Sequence, residues 1–238
     1  LQGRALGRLS DDDVAAAVEH ALERMDDCGR VHAENHPLTW EAERARTVRR
    51  LRRMLRHERS AHAEATPVRF ECDFGMGGEP GYTLSLGGGG DVAFRGRIDR
   101  IDALPDGAIA IVDYKTGKGA ALKGRDLAGG TQLQLPIYLL AACRMMDVTD
   151  GSARYLLVDV PKDVPQFTRR ELEERLEDFR RVVGGILQGI AAGDFCPLPA
   201  QSAGSHCERY CSFRAVCGAA RGFLAQMKAA DPAAQRLQ

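Results

Sequence analysis

Two acids and a lysine lie close together in a stretch of the chain that is otherwise apolar. Asp99 lies in the run Val92 to Ile101, Asp113 follows the run Ala108 to Val112, and Lys115 comes two residues later. Two carboxylates and an ammonium group on one apolar surface are costly to desolvate unless a cation lies between the acids. Mg²⁺ and Mn²⁺ accept one or two carboxylates together with waters and a phosphate oxygen. The stretch therefore predicts a divalent-metal site that can act on a phosphate ester.

A β-hairpin is the element predicted to position these groups. The two apolar runs are joined by Pro105-Asp106-Gly107, residue types that favour a turn. Side chains alternate along a strand, so Asp113 and Lys115 share one face and Tyr114 lies on the other. A hairpin with this turn brings Asp99 beside Asp113.

The rest of the chain predicts helices on both sides of this hairpin. The predicted elements, in chain order, are a helix from Ser10 to about Asp27, a helix from Thr39 to about His62, strands Val68 to Phe74 and Tyr82 to Leu86, the hairpin, an apolar helix from Thr131 to about Met146, a strand Tyr155 to Val160 and a helix Glu171 to Ala191. Gln134 and Tyr138 share a helical face, and their polar tips need partners either in the core or in a site. This order predicts an α/β domain with a mixed sheet.

Composition places few limits on the function. The 33 basic and 33 acidic residues cancel, so an anionic ligand has to be met by a local patch. The sequence has no run of 18 apolar residues and no signal-peptide pattern, which predicts a cytoplasmic protein without a membrane partner. The chain begins at Leu1 rather than at a methionine, and we expect it to be a piece of a longer protein.

A second candidate site lies near the C-terminus. Cys207, Cys211 and Cys217 form a C-x3-C-x5-C pattern in a chain with seven cysteines. An odd number of cysteines argues against a disulfide framework. Closely spaced thiolates can bind zinc or an iron-sulfur cluster, each of which normally takes four ligands. Buried inert cysteines and a redox sensor are the alternatives, although clustering alone does not indicate an exposed thiol of low pKa.

Three motifs together resemble a known family. GRIDRID around Asp99, IVDYKTG around Asp113 and QLPIY from Gln134 are similar, in this order, to the motifs of the PD-(D/E)XK nuclease superfamily in its RecB-like branch. The cysteine tail resembles that of AddB-type nuclease domains, where three closing cysteines and one far upstream hold a [4Fe-4S] cluster. The likeness covers about residues 40 to 220.

The resemblance implies a fold and a set of roles. The fold is a restriction-endonuclease-like mixed central sheet flanked by helices, with a C-terminal cysteine-rich lobe. Asp99 and Asp113 are implied to bind Mg²⁺ or Mn²⁺, and Lys115 to place or activate the attacking water. Gln134 and Tyr138 are implied to line the site and to orient Lys115 or the DNA strand.

Other positions carry weaker expectations. Glu71 falls where the family often has an acid on the strand before the hairpin, whereas Arg100 and Asp102 are expected to be solvent-facing or structural partners. The family usually completes its metal shell with a His from a Gly-x-x-x-His helix, which is absent here, and His20 is the nearest candidate. The fourth cysteine of the family is also absent upstream, so Cys28 or Cys196 is the substitute. The tail spacing is one residue longer than the common C-x2-C-x5-C.

These features predict a divalent-metal-dependent DNA nuclease, an exonuclease of DNA repair or recombination. It would cut single strands or strands unwound by a helicase. The unwinding would come from a helicase domain or subunit, because the sequence has no helicase motor motif. The alternative is a catalytically incomplete module of the same fold that binds DNA or a partner, with the cysteine tail as a structural clasp. The predicted divisions are an N-terminal helical segment, 1–66, a nuclease core, 67–194, and a cysteine-rich segment, 195–238.

Overall fold

The structure is a computed structural model that describes residues 1–87, 90–116, 127, 130, 132–194 and six positions between 211 and 227. The chain divides into two compact units. One contains Leu1–Ser85, Gly90–Arg125 and Leu133–Arg175, and the other contains Leu86–Gly89, Asp126–Gln132 and Leu176–Gln238. The predicted boundaries at residues 66 and 194 stay a prediction.

The described residues form five α-helices and seven strands. The helices are α1 (Asp11–Asn35), α2 (Pro37–Ala61), α3 (Gln134–Met146), α4 (Arg169–Glu174) and α5 (Leu176–Ala192), and the strands are β1 (Thr66–Phe74), β2 (Tyr82–Ser85), β3 (Asp91–Phe94), β4 (Gly96–Ala103), β5 (Ile109–Lys115), β6 (Gly151–Leu157) and β7 (Lys162–Thr168). Among them, no helix combines the length and the apolar character needed to cross a membrane.

Five strands form the central sheet of the first unit, in the order β1-β4-β5-β6-β7. Strands β5 and β6 are parallel, and the other neighbouring pairs are antiparallel. Helix α3 packs on β5 and β6, and side chains of α2 reach the opposite face of the sheet. The predicted mixed sheet flanked by helices is confirmed.

The central hairpin is also confirmed. Strands β4 and β5 pair with Arg100 opposite Val112, and the turn closes through a hydrogen bond from Leu104 N–H to Ala108 O of 2.9 Å. Gly107 adopts a φ of 85° in this turn, which suits glycine. The prediction that one strand runs from Val92 to Ile101 is wrong, because β3 ends at Phe94 and pairs with β2 in a separate two-stranded sheet.

The first two helices are longer than predicted. Helix α1 continues past Asp27 to Asn35, and α2 begins at Pro37 rather than after Thr39. Proline has no N–H to lose and a suitable φ, so it is well placed in the first turn of a helix. The helices pack through a cluster of apolar side chains: Val14, Val18, Leu22 and Leu55.

The sequence did not predict β7, and it predicted a single helix where the structure has two. Pro165 argues against a strand, but β7 is the edge of the sheet, where a missing N–H is tolerated. Helix α4 begins with a capping box in which Thr168 Oγ1 accepts from Glu171 N–H at 3.2 Å. The helical pattern breaks at Arg175, between α4 and α5.

Helix α5 is the main described element of the second unit. Phe179 and Val183 are buried on it. Gly130 adopts a φ of 95°, which favours glycine, and a Cβ there would lie 2.7 Å from Ile186 Cδ1. Leu127 is buried in the same unit.

Candidate active site

Asp113 and Lys115 form the centre of the candidate site, at the end of β5. Asp113 is almost completely buried, with 1% of its surface exposed. Lys115 Nζ lies 2.5 Å from Asp113 Oδ2. The Lys115 ammonium donates to this buried carboxylate and forms an ion pair with it. Tyr114 points to the other face of the sheet, where its hydroxyl accepts from Arg100, as the alternation predicts.

Asp99 reaches the same end of the hairpin from β4. Extending the register by one pair from Arg100 opposite Val112 puts Asp99 opposite Asp113. One carboxylate oxygen of Asp99 accepts a hydrogen bond of 2.9 Å from the backbone N–H of Tyr114. This bond fixes the Asp99 carboxylate against the strand that carries Asp113. The hairpin therefore brings the two predicted acids together.

Helix α3 supplies the polar groups that hold Lys115. Gln134 Oε1 accepts from Lys115 Nζ at 3.0 Å, and Gln134 Nε2 donates to the Tyr138 hydroxyl at 3.1 Å. The Lys115 ammonium also lies 5.2 Å from the centre of the Tyr155 ring, within the range of a cation–π contact. Gln134 and Tyr138 thus find partners in each other and in the site.

A glycine of the first motif makes room for Tyr138. A Cβ on Gly96 would lie 3.0 Å from the Phe74 ring and 3.5 Å from Tyr138. The two rings meet edge to face, with their centroids 6.0 Å apart. A larger residue at position 96 would displace these rings and, through Tyr138, the Gln134 amide.

The charges of the site perturb its titration. Burial raises the pKa of Asp113, the ion pair with Lys115 opposes that rise, and the nearby Asp99 adds to it, with a raised pKa as the result. Burial, Asp113 and Tyr138 together raise the pKa of Tyr155 to about 12. The Tyr155 phenol is therefore neutral at ordinary pH and suited to contact the ammonium with its ring.

The residues present fit a divalent cation. The buried Asp113 carboxylate is paired with one ammonium, that of Lys115, and the second carboxylate, that of Asp99, is close enough to raise the pKa of Asp113. Mg²⁺ and Mn²⁺ prefer carboxylate oxygens and keep several waters. Asp99 and Asp113 are the residues that would hold such an ion.

Comparison with known proteins identifies the family. A model of the PD-(D/E)XK nuclease superfamily matches residues 2–218 of the chain. The chain belongs to this superfamily.

Several relatives, each named as a subunit of an ATP-dependent helicase/deoxyribonuclease, are similar to parts of the chain. The protein of Acetivibrio thermocellus is 31% identical over 192 residues, which are 75% of this chain and 16% of the relative. That of Ruminiclostridium cellulolyticum is 43% identical over 136 residues, 52% of this chain and 12% of the relative. That of Symbiobacterium thermophilum is 44% identical over 90 residues, 35% of this chain and 8% of the relative. The chain thus spans a small part of the relatives' length.

Two positions that the superfamily resemblance suggested are not brought to Asp113. Glu71 is exposed on β1 with a φ of 47°, and it lines a cleft to which Asp113 does not contribute. His20 is exposed on α1, with its Nδ1 3.7 Å from Glu23 Oε2. The described residues place no His, Cys, Asp or Glu with Asp99 and Asp113 in a group of three possible ligands. The roles of Glu71 and His20 stay predictions.

The cysteine site lies almost wholly outside the described residues. Cys196, Cys207 and Cys217 are not among them. Cys28 is an exposed free thiol, and Cys211 is a partly buried one. The predicted cluster and its fourth ligand stay a prediction.

A second charged group lies on the opposite face of the sheet. Arg100 and Asp102 of β4 are buried there with Arg154 of β6 and Glu58 of α2. Glu58 accepts from Arg100 with one oxygen and from Arg154 Nη2 with the other, the latter at 3.0 Å. Arg100 Nη2 also donates to Asp102 Oδ2 at 2.8 Å. The solvent-facing alternative for Arg100 and Asp102 is wrong, because α2 covers this face and makes them buried structural partners.

The sequence reasoning missed Glu58, Arg154 and Tyr155 in these two groups. Glu58 gave a usable signal, since it follows Leu55 by three residues and so continues the apolar stripe of α2. An acid on an apolar stripe indicates a buried partner. Arg154 and Tyr155 gave none, because nothing local distinguishes them from other residues at the start of an apolar strand.

Proposed function

We propose that this chain is a divalent-metal-dependent DNA nuclease that degrades DNA from its ends. The observation that carries the proposal is the pair of carboxylates, Asp99 and Asp113, which lie together at the end of the hairpin beside the Lys115 ammonium. Membership of the nuclease superfamily supports hydrolysis of a phosphodiester, and the name of the relatives supports DNA as the substrate.

Each residue of the site has a role in this proposal. Asp99 and Asp113 hold Mg²⁺ or Mn²⁺, which when bound supplies Lewis-acid polarisation of the phosphate. The Lys115 ammonium offsets the negative charge that grows on the phosphate oxygens. Gln134 holds Lys115 through its Oε1 and is itself held by Tyr138, so the ammonium does not need to be reoriented during the reaction.

We also propose that the chain works as part of a helicase-nuclease in DNA repair or recombination. Its relatives carry both activities in their name, and the matched region is a small share of their length. The unwinding would come from another part of such a protein or from a partner, and the chain would receive single strands.

The test is cleavage of end-labelled linear DNA, single- and double-stranded, with Mg²⁺, Mn²⁺ or EDTA. The parent is compared with Asp113→Asn and with Asp102→Asn, a control carboxylate on the other face of the sheet. We expect metal-dependent cutting by the parent and by folded Asp102→Asn, and none by Asp113→Asn. Cutting by Asp113→Asn at the parent rate would refute the assignment. Circular single-stranded DNA should resist, because it offers no end, and its degradation would refute the exonuclease.

A second candidate function is a module of this fold that binds DNA without cutting it. The observation that favours it is the absence, among the described residues, of a histidine grouped with Asp99 and Asp113. The same experiment separates the two functions when it is run beside a DNA-binding titration. Binding by the parent without cleavage in any metal would establish the module.

For the tail, we propose that Cys207, Cys211 and Cys217 bind a [4Fe-4S] cluster or zinc, with Cys196 or Cys28 as the fourth ligand. The support is the C-x3-C-x5-C spacing. Iron, sulfide and zinc are measured in the chain purified without oxygen, with Cys211→Ser beside the parent. Four irons and four sulfides per chain would identify the cluster, one zinc would identify the alternative, and neither would refute the proposal.

A further inference from the structure

Two imidazoles converge on one carboxylate oxygen at the C-terminal end of α2. His57 Nε2 lies 2.7 Å from Asp163 Oδ2, and His62 Nε2 lies 2.9 Å from the same oxygen. His57 lies four residues before the end of the helix at Ala61, and His62 is the residue that caps its end. Asp163 comes from β7, about a hundred residues further along the chain.

The three side chains have the chemistry and spacing of a transition-metal site. Among the described residues, one group of possible metal ligands lies with its atoms within 4.8 Å of one another, and it contains these three side chains and Glu58. Zn²⁺ binds imidazole nitrogen and carboxylate oxygen at about 2.0–2.2 Å, which separates neighbouring ligands by about 3.3 Å. The present contacts would therefore open by only about half an ångström to admit the ion.

The net charge of the surrounding groups favours a bound cation. Glu58, Asp102 and Asp163 are three carboxylates, whereas Arg100 and Arg154 are two guanidinium groups, so the network keeps one negative charge while both imidazoles are neutral. Both Glu58 oxygens are bound by the arginines, so Glu58 balances their charge rather than binding the ion. A cation or an imidazolium is needed to complete the balance.

The site is also held in place and accessible. Arg154 Nε donates to the other oxygen of Asp163 at 2.6 Å and so fixes the carboxylate that the imidazoles face. The His57, His62 and Asp163 side chains are 25%, 26% and 18% exposed. An ion and a water that fills its remaining position can therefore enter from solvent, while a neighbouring charged group holds the ligand, as is usual around metal sites.

We propose that His57, His62 and Asp163 form a binding site for a transition-metal dication of the Zn²⁺ class. Binding moves each neutral imidazole proton from Nε2 to Nδ1, and coordinate bonds replace the two hydrogen bonds to Asp163. The ion then clamps the end of α2 to the edge strand β7. This site faces away from Asp113 and prefers imidazole-binding ions over Mg²⁺, so it does not depend on the proposed nuclease activity.

Co²⁺ is the probe for the first test, because thiolate ligands give it an intense near-ultraviolet charge-transfer band and imidazole or carboxylate ligands do not. The full chain with Asp113→Asn, which removes the candidate nuclease site, is titrated and its visible bands are followed. We expect one class of Co²⁺ sites to lack the thiolate charge-transfer band. His57→Gln and His62→Gln should each weaken the Co²⁺ affinity of this class by roughly tenfold or more. The control His36→Gln, at an exposed position outside the cluster, should leave it unchanged. Equal Co²⁺ binding by the parent background and by folded His57→Gln/His62→Gln would overturn the proposal.

A second test needs no substitution in the cluster. The parent chain is modified with diethyl pyrocarbonate, with and without Zn²⁺, and the modified histidines are identified by mass spectrometry. Zn²⁺ should protect His57 and His62 and leave His36 reactive. Equal modification of His57 and His62 with and without the ion would overturn the proposal, even if the variants of the first test failed to fold.

Discussion

The two faces of the central sheet bury charge in different ways. On the face toward α3, the buried Asp113 is paired with one partly exposed ammonium, that of Lys115, and lies near a second carboxylate, that of Asp99. On the face toward α2, Glu58 receives hydrogen bonds from Arg100 and Arg154 with both of its oxygens. Strand β4 contributes to both faces through Asp99 and Arg100, and β5 does so through Asp113 and Tyr114.

This difference distinguishes the candidate active site from a charged group that only stabilises the fold. Where two guanidinium groups donate to one buried carboxylate, as at Glu58, their hydrogen bonds offset the cost of its desolvation. A buried carboxylate that has a raised pKa, lies near a second acid and pairs with a partly exposed ammonium is in the condition commonly found where a ligand binds or a reaction occurs. Substitutions on the two faces should therefore have different consequences.

The largest expected effect is on catalysis. Asp113→Asn should lower the rate of DNA cleavage by about a thousandfold or more, with little change in the melting temperature, because the amide keeps the size of the side chain. Asp102→Asn should instead lower the melting temperature and retain cleavage in the folded fraction. Cleavage rates and melting temperatures are measured for both variants. The proposed difference between the two faces would be wrong if Asp102→Asn lost cleavage and Asp113→Asn lost only stability.

The next effect is on stability. Arg100→Met removes the buried donor of Asp102 and of one Glu58 oxygen, and it should lower the free energy of unfolding by about 3–5 kcal/mol. Arg97→Met is the matched control on the same strand, where an exposed pair with Asp73 is lost and little change is expected. Denaturant titrations of both variants provide the measurement. An equal loss in the two would show that the α2 face is not a buried network.

A smaller effect on the rate should follow from Gln134→Leu. Lys115 loses the acceptor that holds its ammonium, so cleavage should fall by about tenfold to a hundredfold. Tyr138→Phe keeps the ring beside Phe74 and the Gln134–Lys115 bond, so it should fall less. Cleavage at saturating DNA is the measurement. A Tyr138→Phe defect larger than that of Gln134→Leu would contradict the proposal that Tyr138 acts on Lys115 through Gln134.

The smallest expected effect is at an exposed ion pair outside the sheet. Hydrogen bonds from Arg44 lower the pKa of Asp26, partial desolvation opposes this, and Trp40 Nε1 adds a donor at 3.0 Å. The contribution of Asp26 is therefore present above the ordinary aspartate pKa of about 3.9 and is lost as the pH falls below it.

Trp40 is the one tryptophan of the chain, so its fluorescence reports this contact directly. We expect an acid transition with a midpoint below about 3.9, and we expect Asp26→Asn to abolish it. Asp27→Asn, which removes an exposed pair with Arg30, is the control. A midpoint above the ordinary aspartate pKa would show that Arg44 does not stabilise the carboxylate.

The hairpin and the candidate catalytic pair could be predicted from local rules alone. Alternation along a strand is a local rule, so the common face of Asp113 and Lys115 and the opposite direction of Tyr114 could be read without a structure. The turn residues fixed the pairing that brings Asp99 to Asp113. Helical spacing likewise put Gln134 and Tyr138 on one face, although it did not show which group they would hold.

The charged group on the opposite face of the sheet depends on contacts between elements that are distant in the chain. Glu58 meets Arg154 across 96 residues, and His57 meets Asp163 across 106. No periodicity within a helix or a strand contains such a pairing. Strand β7 could not be predicted for the same reason. A proline argues against a strand unless that strand is known to lie at the edge of its sheet, and the edge position of β7 is set by the order of the strands. Local rules fix where a side chain points, whereas its partner is set by the packing of elements that are distant in the chain.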